Sequence, residues 1–158
     1  MAQAAPPPRI GADREARCEA LRERMGTLGR ELGEAERPHA PGLVRAREAA
    51  ETLRAIVAEA LGAFHEAARA AGAPQLEVVL GATRSDDKHL RAVQFDLRRG
   101  VHGAVVTVKS RGEVTLVGPF RQGKAEGPCK SFPIDAEGEI EAALGEFLTR
   151  FLREAASP

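Results

Sequence analysis

The spacing of apolar residues changes period along this chain, and that change limits what it can fold into. From about Asp13 to Glu36, Cys18, Leu21, Met25, Leu28 and Leu32 recur at steps of three and four, the a/d seam of a helix facing one partner. A longer run, about Leu43 to Ala71, places Leu43, Ala46, Ala50, Leu53, Val57, Ala60, Phe64, Ala67 and Ala71 at the same steps. The two runs are separated by ERPHAPG, residues 36–42, whose two prolines and glycine interrupt a helix. Gly72 and Pro74 end the second run.

Beyond them the period falls to two. Val93, Phe95 and Leu97 alternate with Gln94, Asp96 and Arg98, as in a strand with one buried face. Leu76–Leu80, Ala104–Lys109 and Val114–Val117 read as further strands, the last two joined by the turn Ser110–Glu113. Links this short leave no room for parallel crossovers. After a Gly- and Pro-rich loop, Gly118–Pro133, the helical period returns over about Ala136–Ala155. Its apolar face is Ile140, Leu144, Phe147, Leu148, Phe151 and Leu152, and Asp135 stands in N-cap position.

The expected fold is therefore α+β: an N-terminal antiparallel helical hairpin, then a four-stranded antiparallel β-meander packed against a C-terminal amphipathic helix. Residues 1–12, rich in Ala and Pro, read as a disordered leader, 13–73 as the hairpin and 74–158 as sheet plus helix, hairpin and sheet forming one continuous domain. In the second helix the first half offers a narrow, Ala-rich seam suited to a close helical neighbour. Around Ile56, Val57, Leu61 and Phe64 the apolar face widens, as it would on reaching a core.

Composition excludes more than it indicates. No apolar run reaches the roughly 18 residues of a membrane span. The opening MAQAAPPPRIGADR has neither the basic nor the apolar segment of a signal peptide, so a cytoplasmic location is expected. The abundance of Arg, Ala and Gly fits a GC-rich bacterial genome. With six Phe and no Tyr or Trp, there is little from which to build a stacking platform. Cys18 and Cys129 lie far apart without a CxxC partner and are expected as reduced thiols; His39, His65, His89 and His102 show no ligand spacing. Neither a metal nor a cofactor is expected.

One motif invites attention. Gly118-Pro-Phe-Arg-Gln-Gly123-Lys124-Ala125 matches the G-x-x-x-x-G-K of a phosphate-binding loop. Ala125 occupies the place of the magnesium-binding hydroxyl, the following AEGPCKSFP cannot form the helix that holds phosphates, and the preceding strand is antiparallel. Asp86-Asp87 reads as a solvated turn, and Cys129, although near Lys124 and Lys130, has no base to activate it. The chain is not expected to be an enzyme.

Charge is distributed unevenly although it sums to zero. Residues 76–134 hold 10 basic and 6 acidic side chains, residues 135–158 hold 2 and 6. A meander gathers Arg98, Arg99, His102, Arg121, Lys124 and Lys130 at one end of the sheet, a basic rim suited to an anion or a protein partner. The outer face is expected to show Gln94, Asp96, Thr107, Lys109, Glu113 and Thr115, with no aromatic, unlike an RNA-binding sheet.

The leading expectation is a non-enzymatic protein-interaction or adaptor module that associates with itself or another protein through the hairpin, using Leu21, Leu28, Leu43, Leu53, Ile56 and Leu61. The alternative is an accessory protein that binds nucleic acid or another polyanion through the basic rim.

Overall fold

A computed structural model describes residues 3–5, 10–86, 88–123 and 127–157. The two helical runs become α1, Ile10–Glu36, and α2, Ala40–Ala70, with a 3-10 turn at Arg37–His39 between them. Six strands follow, β1 (Val79–Leu80), β2 (Arg84–Ser85), β3 (Ala92–Arg99), β4 (His102–Lys109), β5 (Glu113–Arg121) and β6 (Cys129–Pro133). The chain closes with α3, Glu137–Ala155. The class is α+β, as the change of period predicts. By internal contacts the chain divides into two compact units, residues 1–38 and 39–158. Of the leader expected over 1–12, residues 1, 2 and 6–9 lie outside the described residues, and α1 begins at Ile10.

In the larger unit every strand pair is antiparallel. The order β1-β3-β4-β5-β6 has β2 sharing the outer edge of β3 with β1. Two strands exceed the expected four. Cys129–Pro133 lies within the expected loop, yet pairs with β5 from Val117↔Cys129 to Glu113↔Pro133. As an edge strand it accepts a terminal proline, and its Gly-Pro flank and lack of β-branched residues leave no strand signature. The other addition is the two-residue β2, too short to show a period.

Cross-strand partners share a face, so the register defines two surfaces. One carries Val93, Phe95, Leu97, Ala104, Val106, Val108, Val114 and Leu116, all at most 3% exposed. Both α2 and α3 cover it, α2 over β3 and β4, and α3 over β5 and β4. From α2 come Ala46, Ala50, Leu53, Val57 and Leu61; from α3 come Ile140, Leu144, Phe147, Leu148 and Phe151. Burial of each large side chain contributes about 1.5–3 kcal/mol.

Ala46 and Ala50 correct one expectation: the narrow seam accommodates the sheet instead of a neighbouring helix. Small side chains there let α2 approach closely, and at Gly42 a Cβ would overlap the Ser110 carbonyl oxygen in the β4–β5 turn. Polar bonds fasten the edges of this layer. The Val78 N–H donates to His65 Nε2 at 3.0 Å, and Arg54 Nε donates to the Gly81 carbonyl at 2.8 Å. A second correction concerns Asp135, because the N-cap of α3 is Ala136 and no side chain caps it. No helix among the described residues is long and apolar enough to cross a membrane.

Candidate functional site

Three surfaces bear on function: the outer face of the sheet, the end of the sheet where β3 meets β4, and the apolar seam of α1.

On the outer face, register aligns Gln94, Thr107, Thr115 and Ser131 in one row across four strands. Thr115 and Ser131 share a hydroxyl hydrogen bond of 3.0 Å. On one side, the Lys109 ammonium and the Arg111 guanidinium both donate to Glu113, at 3.1 Å each. Those two cations, Lys109 first, hold the Glu113 carboxyl below its ordinary value. On the other side lies the row Asp96, Val105, Val117 and Cys129.

Beyond that row the pattern breaks. Register between β4 and β5 shifts between Gly103 and Val105, so β5 fits Gly118 and Pro119, joined by a cis peptide, opposite Ala104 alone. Gly118 sits at φ +114°, a conformation that favours glycine. The extra residue moves Phe120 onto the outer face, where it pairs with Gly103; a Cβ on Gly103 would come within 2.8 Å of the ring. The expectation of an outer face without an aromatic is therefore overturned. Phe120, Val105 and Val117 line a groove of about 880 Å³ together with Gln94, Thr107 and Thr115.

The expected basic rim is only partly assembled. Arg98 lies on the outer face and donates from Nε to Asp96 at 2.6 Å. Arg99, one residue on, falls on the opposite face. Its guanidinium donates to the carbonyl of Ala155, in the last turn of α3, and to that of Gln75 at 3.2 Å. Arg99 thus sets its charge against a buried carbonyl at the negative end of α3. His102 and Arg121 are register partners at this end of the sheet. Lys130 pairs with Leu116 on the edge strand, five positions back from Arg121 and so about 15 Å away. Lys124 lies outside the described residues, as do Ala125 and the end of the phosphate-loop match. Among the described residues, no three His, Cys, Asp or Glu side chains gather where they could hold a metal ion.

The residues expected to associate also separate into classes. Leu53 and Leu61 are buried beneath the sheet, and Leu43 is half-buried against the same core. Ile56 is 38% exposed on α2. In α1 every residue from 11 to 35 is exposed. Leu21, Met25, Leu28 and Leu32 are 57%, 48%, 43% and 59% exposed, and Cys18 on the same seam is exposed too. The helix has little intrinsic stability to sustain this, since Gly26, Gly29 and Gly33 each cost about 1 kcal/mol relative to Ala.

No family model, no curated protein and no solved structure matches the chain.

Proposed function

We propose that this chain is a non-enzymatic protein-interaction module whose α1 helix is the docking element. The observation that carries this reading is the exposed seam of Cys18, Leu21, Met25, Leu28 and Leu32. Apolar residues at a/d spacing on a glycine-weakened helix gain most from a partner helix, which both buries them and supports the helical conformation. The α2 positions Leu43, Leu53 and Leu61 serve the core, so of the six expected residues Leu21 and Leu28 on α1, with the single exposed Ile56 on α2, stay open to a partner, and α1 alone carries a continuous seam.

Polyanion binding has less support: of the six basic residues, Arg99 is engaged with Ala155 and Gln75, and Arg98 is paired with Asp96.

The test compares the chain with a Leu21→Glu/Leu28→Glu variant by affinity capture and by sedimentation. Whatever the chain binds, another copy included, should be lost in the variant, while the melting of the sheet unit stays unchanged. An association profile identical in both proteins refutes the reading.

A further inference from the structure

We infer that the partner of the α1 seam is a second copy of this chain, with the two α1 helices paired antiparallel. The inference rests on the reading of α1 as a docking element and adds the identity and direction of its partner. With Cys18 at a, Leu21, Leu28 and Ala35 fall at d, and Met25 and Leu32 at a. The flanking e and g positions hold Glu15, Arg17, Arg22 and Arg24 in the first half of the helix, but Gly29, Glu31 and Glu36 in the second. Arginines thus dominate one half and glutamates the other.

Charges at these positions set orientation in paired helices. In a parallel pair each g residue faces the e residue five places further on in the partner. Arg17 would then meet Arg22, and Glu31 would meet Glu36, each contact occurring twice and each repulsive. Antiparallel pairing reverses the second helix. In one register every seam residue meets an apolar one: Met25 against Leu28, Leu21 against Leu32 and Cys18 against Ala35. The same register brings Arg24 of each copy to Glu31 of the other at the middle of the paired stretch, and like charges, Glu15 near Glu36, meet only at its two ends. Gly29, at e beside the central layer, leaves space for close approach; a Cβ there would meet nothing within 4 Å in the single chain. The two-fold axis makes the surface self-complementary, as a closed dimer requires.

The experiment uses the full chain with Cys129→Ser, so that Cys18 is the remaining thiol, and oxidised glutathione as the oxidant. Light scattering at tens of micromolar should show a dimer. The protein carrying Cys18 alone should stay uncrosslinked on oxidation, whereas adding Ala35→Cys should give a covalent dimer through Cys18 and the introduced thiol. Independently, Glu31→Arg should weaken the dimer about tenfold or more, and Arg24→Glu/Glu31→Arg should restore it. Crosslinking through Cys18 alone, or a dimer strengthened by Glu31→Arg, overturns the antiparallel pairing while leaving α1 as the docking element. A monomer overturns the second copy as partner; the docking reading then stands or falls on whether Leu21→Glu/Leu28→Glu still abolishes capture of other proteins.

Discussion

Replacing glycine with alanine inside a helix ordinarily stabilises it, and α2 offers two glycines at which the same change should act with opposite sign. Gly62 lies in the interior of α2, and a Cβ built there meets nothing within 4 Å. Gly62→Ala should therefore gain the full difference in helix propensity, about 1 kcal/mol. Gly42 is the third residue of α2, where the propensity gain is smaller, and its Cβ would overlap the Ser110 carbonyl oxygen and lie 3.1 Å from the Ser110 carbonyl carbon. These are backbone atoms in a held turn: Ser110 N–H donates to the Arg91 carbonyl at 2.8 Å and Gly112 N–H to Lys109 at 2.9 Å. Neither α2 nor the turn can give way without loosening the Ala46 and Ala50 contacts that follow. By the usual cost of overpacking, Gly42→Ala should lose about 1–3 kcal/mol. The two variants should then differ by about 2–4 kcal/mol, a separation in Tm on the order of 10 °C for a unit of this size. With no Trp or Tyr in the chain, urea titration is followed by far-UV circular dichroism and Tm by calorimetry. A Gly42→Ala protein as stable as the parent would refute the close contact between α2 and the turn. A destabilised Gly62→Ala would refute the open space beside mid-α2.

Two further outcomes concern the sheet. Arg99→Ala should cost about 2–3 kcal/mol, since two charge-assisted bonds to carbonyls are lost and only the desolvation of its buried, unpartnered Nε is relieved. Arg98→Ala, at a side chain 67% exposed, should cost about 0.5 kcal/mol or less; equal urea midpoints for the two variants would remove Arg99 from its role at the end of α3. Glu113 has a folded pKa lowered from its ordinary 4.5, mainly by Lys109 and then Arg111, so its ionised form stabilises the fold above that value and this contribution is lost as pH falls through the folded pKa. Glu113→Gln should be less stable than the parent at neutral pH and lose less on acidification, and parallel urea-midpoint profiles for the two proteins would refute the linkage.

How much of this was legible in the sequence depends on what kind of signal each element carries. The faces of β3 and α3 are visible because Val93, Phe95 and Leu97, and Ile140 through Leu152, repeat at the period of their own secondary structure. Periodicity says that one face is covered but not by what, which is why Ala46 and Ala50 suggested a helical neighbour when the sheet covers them. Parity did hold the answer for Arg99: two residues beyond Leu97, it must share that core-facing side, whereas Arg98 shares the side of Asp96. Cys129–Pro133 could not be read because an edge strand is held by backbone bonds to one neighbour and needs no strong side-chain pattern. Phe120 was hidden for a different reason: Gly118 and Pro119 read as the start of a loop although β5 runs on to Arg121, and strict alternation continued from Val114 would in any case have placed the ring on the core face.

The bulge before Phe120 has an evolutionary consequence. Ordinary point substitution leaves the facing of a strand unchanged, and so would the loss of one residue between Val117 and Phe120: the bulge would vanish and the ring, then two positions after the outward Val117, would still stand opposite Gly103. The aromatic character of the groove is thus buffered against a one-residue deletion at this locus. Among descendants of this sequence, exchange of the phenylalanine itself, more than loss of a residue in that short stretch, would mark lineages in which the outer face has changed its use.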